Sequence, residues 1–421
     1  MLVEFRLQNY RCFKDEQVLS LTAGSDQSLP GNVIKTPDTS KFKILRSVVI
    51  YGPNASGKTK VLEGLKFIRD FVRESANRKP DDAIDIQPFL LDPASANAPS
   101  TFEITFIQDQ VRYQYGISVD RVRVWNEYLY AAPKGRTVPY FQRAWNKDTK
   151  KEEYFFGPSL KGQNEKISSL TRENALFLSV AAAFKHPMLS TVYQWFSGIY
   201  LELNPLQKTN LDLVDLNENY HQGIRDLLRY ADLGIWDYQV KEPSIPENKL
   251  QLIGERIEVL HQTQGNRVVA FPLSSESNGT RHILFLSQLV LHALEKGDVL
   301  VVDEMDASMH PLLVRAIVEM FHNPAVNYHN AQLIFNTHDT TLLDNTIFRR
   351  DQIWFTEKDQ EGATHLYSLL EYSPRKGESL AKGYLQGRYG AIPFLGDMFA
   401  LFEGEVPNEP KEKTIRAATF I

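Results

Sequence analysis

The sequence predicts an α/β fold that carries an antiparallel β-meander and a helical insertion. Three observations lead to this prediction. A glycine-rich loop, "GPNASGKT" at 52–59, lies between an apolar run and an amphipathic segment. A second apolar run, at 299–302, ends in two acidic residues. Between these features, short alternating runs fill 101–156, and 165–232 mostly follow the 3.6-residue period of helices.

The first half of the chain supplies strands, a helix and the meander. Alternating side chains over 2–7 predict one strand, and "LRSVVIYG" predicts a second strand that ends at the glycine loop. A helix is predicted directly after the loop, over 59–75, because its apolar residues share one face. The meander is predicted from the runs "TFEITFI", "VRYQYGISV", "VRVWNEYLY" and "YFQRAW".

The second half returns to an α/β pattern. Residues 267–297 predict a loop followed by a helix that ends near Gly297. The remaining elements are a buried strand, a helix and two further strands, predicted from "DVLVVDE", "PLLVRAIVEMF", "AQLIFNTHD" and "QIWFTE".

Composition limits the class of protein. The chain has 421 residues, of which 43% are hydrophobic, and its net charge of -5 lacks the basic excess of a dedicated nucleic-acid binder. Its single cysteine, Cys12, excludes an intramolecular disulfide and fits a reducing compartment. No apolar run approaches the roughly 20 residues that span a bilayer, so we expect a cytoplasmic protein without a membrane partner.

The glycine loop has the chemistry of a phosphate site. Its glycines let the backbone wrap a phosphate, and its amides and the following helix start supply partial positive charge. Lys58 would then reach the β- and γ-phosphates of a nucleotide, and Thr59 would bind Mg²⁺.

Acidic residues at the end of the 299–302 strand would complete this site. Asp303 is placed to hold Mg²⁺, and Glu304 to orient or deprotonate the attacking water. The meander and the helical block lie between Lys58 and Asp303, so we expect a nucleotide core split by two insertions.

Two further stretches admit two interpretations each. "LSSESNGT" at 273–280 places Ser277 and Gly279 at a helix start, either as a second anion site or as an ordinary cap made by Ser277 or Thr280. "LIFNTHD" ends a strand near His338, which is either a ligand of the nucleotide or an ordinary surface or core histidine.

These motifs, in this order, resemble the ABC-type ATPase heads of the SMC, RecF and OLD-like superfamily. "FRLQNYRCF" resembles their opening strand and "GPNASGKT" their Walker A motif. "LSSESNGT" resembles a diverged signature motif, "VLVVDEMDASMHP" Walker B with the D-loop, and "NTHD" the switch histidine. The resemblance implies a P-loop NTPase of ABC/SMC-head type with an antiparallel β-meander lobe and a helical insertion.

Along most of its length the chain is similar to the RloA-like bacterial ATPases, which are grouped with AAA-family abortive-infection ATPases. The similar stretches include "PFLLDP", "NALFLSVAAAFKHP" and "GRYGAIPFLGD". Proteins of this type, to which the ATPase of the PARIS system is related, act in antiphage defence beside a separate effector, a nuclease or toxin. The C-terminal stretch "GYLQGRYGAIPFLGD" is either a docking strip for such an effector or a cap on the core.

The resemblance implies roles for single residues. His338 would contact the γ-phosphate, and Gln87 would sense the metal. Two departures weaken the match: the signature reads "SESNG" without the usual glycine pair, and His310 stands where an SMC-like D-loop ends in aspartate. The implied ATP- and Mg²⁺-binding set is Gly52, Asn54, Ser56, Gly57, Lys58, Thr59 and Asp303, with Ser277 and Gly279 reaching across a dimer.

The implied architecture is an N-terminal lobe, a helical insertion, a C-terminal lobe and an extension, at 1–160, 161–240, 241–370 and 371–421. In ABC-type heads the signature of one chain completes the site of a second copy, so the resemblance implies a homodimer or higher even oligomer with ATP at the interface. Three functions remain: an ATP-switched subunit that controls an effector in antiphage defence, a RecF/SMC-like DNA-binding ATPase in repair or restriction, and an ATP-controlled nuclease. The second of these leaves nucleic acid open as a partner.

Overall fold

A computed structural model describes residues 1–36, 42–203, 218–231, 234–241, 257–263, 265–372 and 377–393. Its strands are β1 (Leu2–Gln8), β2 (Gln17–Ser20), β3 (Val33–Lys35), β4 (Lys43–Leu45), β5 (Ser47–Tyr51), β6 (Ser100–Gln108), β7 (Val111–Val119), β8 (Val124–Ala132), β9 (Val138–Asn146), β10 (Lys151–Phe156), β11 (Ile199–Glu202), β12 (Ile235–Val240), β13 (Ile257–Gln262), β14 (Val268–Pro272), β15 (Val299–Val302), β16 (Gln332–Asn336), β17 (Ile353–Lys358) and β18 (Thr364–Ser368).

The α-helices within these ranges are α1 (Lys58–Glu74), α2 (Pro93–Ala96), α3 (Asn164–Ser168), α4 (Phe177–Ala183), α5 (Leu189–Ser197), α6 (Glu218–Tyr230), α7 (Asn278–Lys296), α8 (Pro311–His322) and α9 (Leu380–Leu385). Short 3-10 helices span Pro30–Asn32, Ser75–Asn77, Leu273–Ser275, Thr340–Leu342, Arg350–Gln352 and Leu369–Tyr372. None of these described helices is long and apolar enough to cross a bilayer.

A mainly parallel sheet forms the centre of the molecule, with strand order β11-β15-β16-β5-β17-β18. The first five strands are parallel, and β18 pairs antiparallel with β17. β5, β15 and β16 are buried along their whole length, as expected for parallel strands covered on both faces. Their carboxyl ends therefore meet at one edge, where ligand sites of α/β sheets lie.

The meander forms a separate antiparallel sheet of order β10-β9-β8-β7-β6-β1-β2. The N-terminal strand β1 lies between β6 and β2, so the start of the chain and the meander are joined in one sheet. The helices α1, α4 and α5 contribute side chains to the same apolar core as this sheet, while α7 and α8 pack in a second core against the other face of the central sheet.

The predicted fold class is confirmed in its main parts: an α/β fold in which a glycine loop joins a central strand to a helix, with an antiparallel meander sheet beside it. Two details differ from the sequence patterns. β11 lies within the range expected to be mostly helical, but it pairs with β15 and so belongs to the central sheet. "VVAFP" at 268–272, expected to be a loop, is strand β14 of a small antiparallel sheet with β12 and β13.

Candidate nucleotide site

The glycine loop joins β5 to α1 at the carboxyl edge of the central sheet. A side chain at Gly52 would place its Cβ only 2.5 Å from the carbonyl oxygen of Thr356. Gly57 has φ 111°, which non-glycine residues rarely adopt, and a Cβ there would lie 2.8 Å from Thr364. Both glycines are therefore required by the path of the backbone.

Strands β17 and β18 hold the loop in place. Ser56 Oγ lies 2.6 Å from Thr356 Oγ1, and Thr364 Oγ1 donates to the carbonyl oxygen of Ser56 at 2.8 Å. Asn54 is exposed at the tip of the loop. The loop thus presents its outer residues to solvent while its base is fixed by buried hydroxyl groups.

Lys58 is a buried cation at the start of α1. Its Nζ donates to the carbonyl oxygens of Gly52 at 2.9 Å and Pro53 at 3.1 Å, so the ammonium group lies inside the loop. Burial lowers the pKa of Lys58, while the carboxylates of Asp303 and Glu304 act in the opposite direction. A group that accepts hydrogen bonds and carries negative charge would compensate this burial.

A direct contact joins the loop helix to the acidic strand end. Thr59 Oγ1 donates to Asp303 Oδ1 at 3.0 Å, although the two residues are 244 positions apart. Burial raises the pKa of Asp303, and the hydrogen bonds from Asn336 and Thr59 lower it.

The donor set fits Mg²⁺. The metal takes oxygen ligands at about 2.1 Å in an octahedron, which puts neighbouring ligand atoms about 3.0 Å apart. The hydroxyl of Thr59 and the carboxylate of Asp303 already have this separation. The described residues contain no group of three or more His, Cys, Asp or Glu placed to hold a metal, so phosphate and water would supply the remaining ligands.

Asn336, at the end of β16, organises both acidic residues. Its Nδ2 donates to Asp303 Oδ1, and its Oδ1 accepts from the backbone N–H of Glu304 at 2.6 Å. Glu304 is exposed and has a left-handed backbone with φ 48°, uncommon for a non-glycine residue. Asn336 was not among the predicted site residues. It is the first residue of the "NTHD" stretch, of which only the histidine was a predicted site residue.

His338 is exposed and lies beside the D-loop, the segment 303–310 between β15 and α8. Its backbone N–H approaches the carboxylate of Asp306 at 3.3 Å. Burial and the charge of Lys58 lower the pKa of His338, whereas Asp306 and Glu304 raise it. The structure therefore brings Lys58, Thr59, Asp303, Glu304 and His338 to one edge of the sheet, and it adds Asp306 to the predicted set.

Gln87 has other partners. Its Oε1 accepts from Arg11, and its backbone oxygen accepts from the backbone N–H of Arg11 at 2.9 Å. No hydrogen bond among the described residues joins Gln87 to Thr59 or Asp303. The pairing holds Gln87 against Arg11, on the loop that follows β1. The metal-sensing role of Gln87 stays a prediction.

The predicted signature residues open α7. Ser277 caps this helix, with its Oγ accepting from the backbone N–H of Thr280 at 3.0 Å. Gly279 lies against the D-loop, where a Cβ would come 2.6 Å from the carbonyl oxygen of Ser308. His310 similarly caps α8 through its Nδ1. No described hydrogen bond connects Ser277 or Gly279 to the glycine loop.

Comparison with known proteins relates the chain to one protein family. A family model described as "AAA domain, putative AbiEii toxin, Type IV TA system" matches residues 47–344, a range that includes the glycine loop, Asp303 and His338. No curated protein matches the chain.

Two solved structures resemble the chain at low identity. The "SMC head domain from Thermotoga maritima" is 12% identical with a TM-score of 0.41, over 87% of this chain and 98% of that chain. The "Crystal structure of the SmcHead bound to the C-winged helix domain of ScpA" is 12% identical with a TM-score of 0.40, over 87% and 97%.

Proposed function

This chain belongs to the AAA-domain family whose model matches it, and on that premise we propose that it is a Mg²⁺-dependent ATPase. The observation that carries the proposal is the 3.0 Å contact between Thr59 Oγ1 and Asp303 Oδ1. This contact places a hydroxyl and a carboxylate beside the buried ammonium group of Lys58, which is the donor set that a Mg·triphosphate requires.

Each residue has a proposed role. The backbone amides of the loop, including Gly52, Asn54, Ser56 and Gly57, would bind the phosphates. Lys58 and His338 would contact the γ-phosphate, where charge develops during hydrolysis. Mg²⁺, held by Thr59 and Asp303, would neutralise the β- and γ-phosphate oxygens when bound. Glu304 would orient the attacking water and accept its proton.

ATP hydrolysis by loop and acid variants tests this assignment. Lys58→Ala should lose nucleotide binding, and Glu304→Gln should bind ATP without hydrolysing it. The unmodified chain should lose ATP hydrolysis when EDTA removes Mg²⁺. Lys60→Ala is the matched control, because Lys60 lies on the same helical turn but pairs with Glu63 at 2.6 Å. Hydrolysis by Lys58→Ala at the wild-type rate would refute the assignment.

We place this ATPase in an antiphage defence system of the abortive-infection type. Support comes from the description of the family, which names a toxin and a type IV TA system. The chain would act there as a nucleotide-switched sensor or scaffold for a separate effector, a nuclease or toxin. Cells that carry the chain with its neighbouring genes should restrict phage plating, and Lys58→Ala should abolish that restriction. Unchanged protection with Lys58→Ala would contradict the switch.

A DNA-binding ATPase of the RecF/SMC kind is the second candidate. The observation that favours it is exposed positive charge on two turns of the meander. One turn carries Lys134 and Arg136, and the other carries Lys150 and Lys151. However, these turns lie at opposite ends of β9, so they do not form one basic groove. Duplex binding that weakens steeply with salt would favour this candidate. The nuclease alternative lacks an acidic cluster among the described residues.

A further inference from the structure

Glu202 ends strand β11 directly beside the acidic strand end. Its backbone oxygen accepts from the backbone N–H of Asp303 at 2.8 Å. Its side chain is only 4% exposed, yet Oε2 has no hydrogen-bond partner. Buried polar atoms without partners are rare because each costs free energy, so this carboxylate requires an explanation.

Gln288 presents the same anomaly on helix α7. The residue is 3% exposed, and both its Oε1 and its Nε2 are buried without a hydrogen-bond partner. One amide therefore leaves an acceptor and a donor unsatisfied in the interior. Its Nε2 could donate to a carboxylate.

Glu202 and Gln288 lie on the two sides of one interface, the one between β11 and α7. Tyr200 OH, on β11, lies 2.8 Å from His292 Nε2, on α7, so the face of β11 that carries Tyr200 points to this helix. Glu202 is two residues further along that face, and Gln288 is one helical turn before His292. α7 leads directly into β15, which is parallel to β11, so α7 runs antiparallel to β11. The step from Tyr200 to Glu202 along the strand is about 6.6 Å, and the step back from His292 to Gln288 along the helix is about 6 Å. Both steps therefore go in the same direction.

We propose that Glu202 and Gln288 are a positioning pair, which hydrogen-bonds in a second arrangement of α7 against β11. The inference rests on the proposed ATPase function. In that arrangement Nε2 of Gln288 donates to the carboxylate of Glu202, and both buried groups gain a partner. The arrangement requires α7 to shift against β11 until the amide and the carboxylate come within hydrogen-bond distance.

The pair would link the two parts that each chain contributes to the proposed dimer, the start of α7 and the acidic end of β15. α7 begins at Ser277, the residue predicted to reach a partner's nucleotide, and β11 fixes the backbone of Asp303. A helix is stiff along its axis, so a ligand that engages Ser277 moves Gln288 with it. The pair therefore acts through Ser277 and Asp303, and its loss should affect the turnover step more than ATP affinity.

A charge swap tests the pair in the full chain. Gln288→Glu replaces the amide donor by a second acid and should lower kcat for ATP about tenfold or more, with KM within about twofold, because the amide-to-carboxylate hydrogen bond is lost. Adding Glu202→Gln restores a carboxylate–amide pair in reversed order, and kcat should return to within about threefold of wild type.

Two variants separate positioning from folding. Gln288→Leu removes both unpaired atoms and should keep the urea midpoint at or above that of wild type, while kcat still falls about tenfold. Tyr200→Phe removes the hydrogen bond to His292, which is already made in the same interface. It should lower the urea midpoint without changing kcat. Wild-type kcat in Gln288→Leu, or a swap that fails to recover turnover, would overturn the inference and leave the ATPase assignment intact. A wild-type chain that binds no ATP would overturn both.

Discussion

At the scale of single residues, Asn336 supports both acidic groups of the site. Its amide bonds the carboxylate of Asp303 and the backbone of Glu304 at once. Asn336→Ala should lower ATP turnover about 10- to 100-fold, as the loss of outer-shell partners of metal ligands does. Steady-state hydrolysis measures this effect, and Asn345→Ala, at an exposed asparagine after the same strand, is the control. Full turnover in Asn336→Ala would show that Asp303 needs no such support.

His338 should be neutral at pH 7. Burial and Lys58 lower its pKa from the ordinary value of 6.5, so its imidazole should titrate below pH 6.5. Because the folded chain then binds this proton less tightly than an unfolded chain, the contribution of His338 to stability falls as pH drops through 6.5.

A histidine NMR titration measures this midpoint, with His338→Gln to assign the signal. Lys58→Met should raise the midpoint by removing a neighbouring positive charge. A midpoint at or above 6.5 in the unmodified chain would contradict the prediction.

The sequence was informative about residues whose spacing is tied to chemistry. Lys58 and Thr59 follow from the loop pattern, and Asp303 and Glu304 follow from an apolar strand with an acidic end. Asn336 carries no such pattern, because its role arises only when β16 lies beside β15. The hydrogen bond between Gln87 and Arg11 likewise depends on a fold contact between residues 76 positions apart.

At the scale of elements, Glu127 connects the meander to the helices that follow it. This residue of β8 is fully buried, and its carboxylate accepts from the first amides of α4, Phe177 N at 2.6 Å and Leu178 N at 2.9 Å. Tyr115 OH also donates to it, and the buried Arg143 lies 3.6 Å away. The acid thus caps a helix that has no capping side chain of its own.

Removing this cap should cost more than an ordinary surface change. Glu127→Ala leaves the two helix amides buried without an acceptor, while Arg143 keeps its ion pair with Glu152. Because each buried donor without a partner costs about 1–3 kcal/mol, we expect a loss of about 2–5 kcal/mol in the free energy of unfolding. Urea denaturation measures it, and Glu153→Ala on the exposed edge strand β10 should change stability by only about 0.5 kcal/mol. Equal effects of the two variants would refute the capping role.

Long, periodic elements were predictable, and short ones were not. Helix α7 ends where Gly297 terminates its pattern, and the meander strands alternate clearly. β11 has four residues between helical segments and, among the described strands, pairs only with β15, about one hundred positions later. Local periodicity cannot reveal a strand whose only partner lies so far along the chain.

At the scale of the whole molecule, the C-terminal strip is part of the core. Tyr384 and Tyr389 are buried, and their rings lie 5.5 Å and 6.0 Å from Phe355 on β17. Tyr384 also lies 5.8 Å from Tyr51, the residue before the glycine loop. The described part of the strip therefore caps the core behind the loop, as the second interpretation expected. Residues 394–397, the rest of this stretch, lie outside the described residues.

The proposed dimer, with ATP at its interface, makes a prediction that only two copies of the chain can satisfy. If Ser277 completes the site of a partner, Lys58→Ala and Ser277→Arg should each be inactive alone. A mixed dimer of the two variants has one site with both defects and one site with neither. An equal mixture should therefore recover about a quarter of wild-type turnover, since about half of the dimers carry one intact site of two.

The mixture also identifies where Ser277 acts. Hydrolysis measured after mixing at several ratios should peak near equal amounts, and sedimentation with Glu304→Gln and ATP should show dimers. If Ser277 acted on its own chain, mixing would restore nothing, because each variant would carry its own defect. Recovery therefore requires that the start of α7 in one chain reaches the glycine loop of another, which no rearrangement within a single chain can imitate.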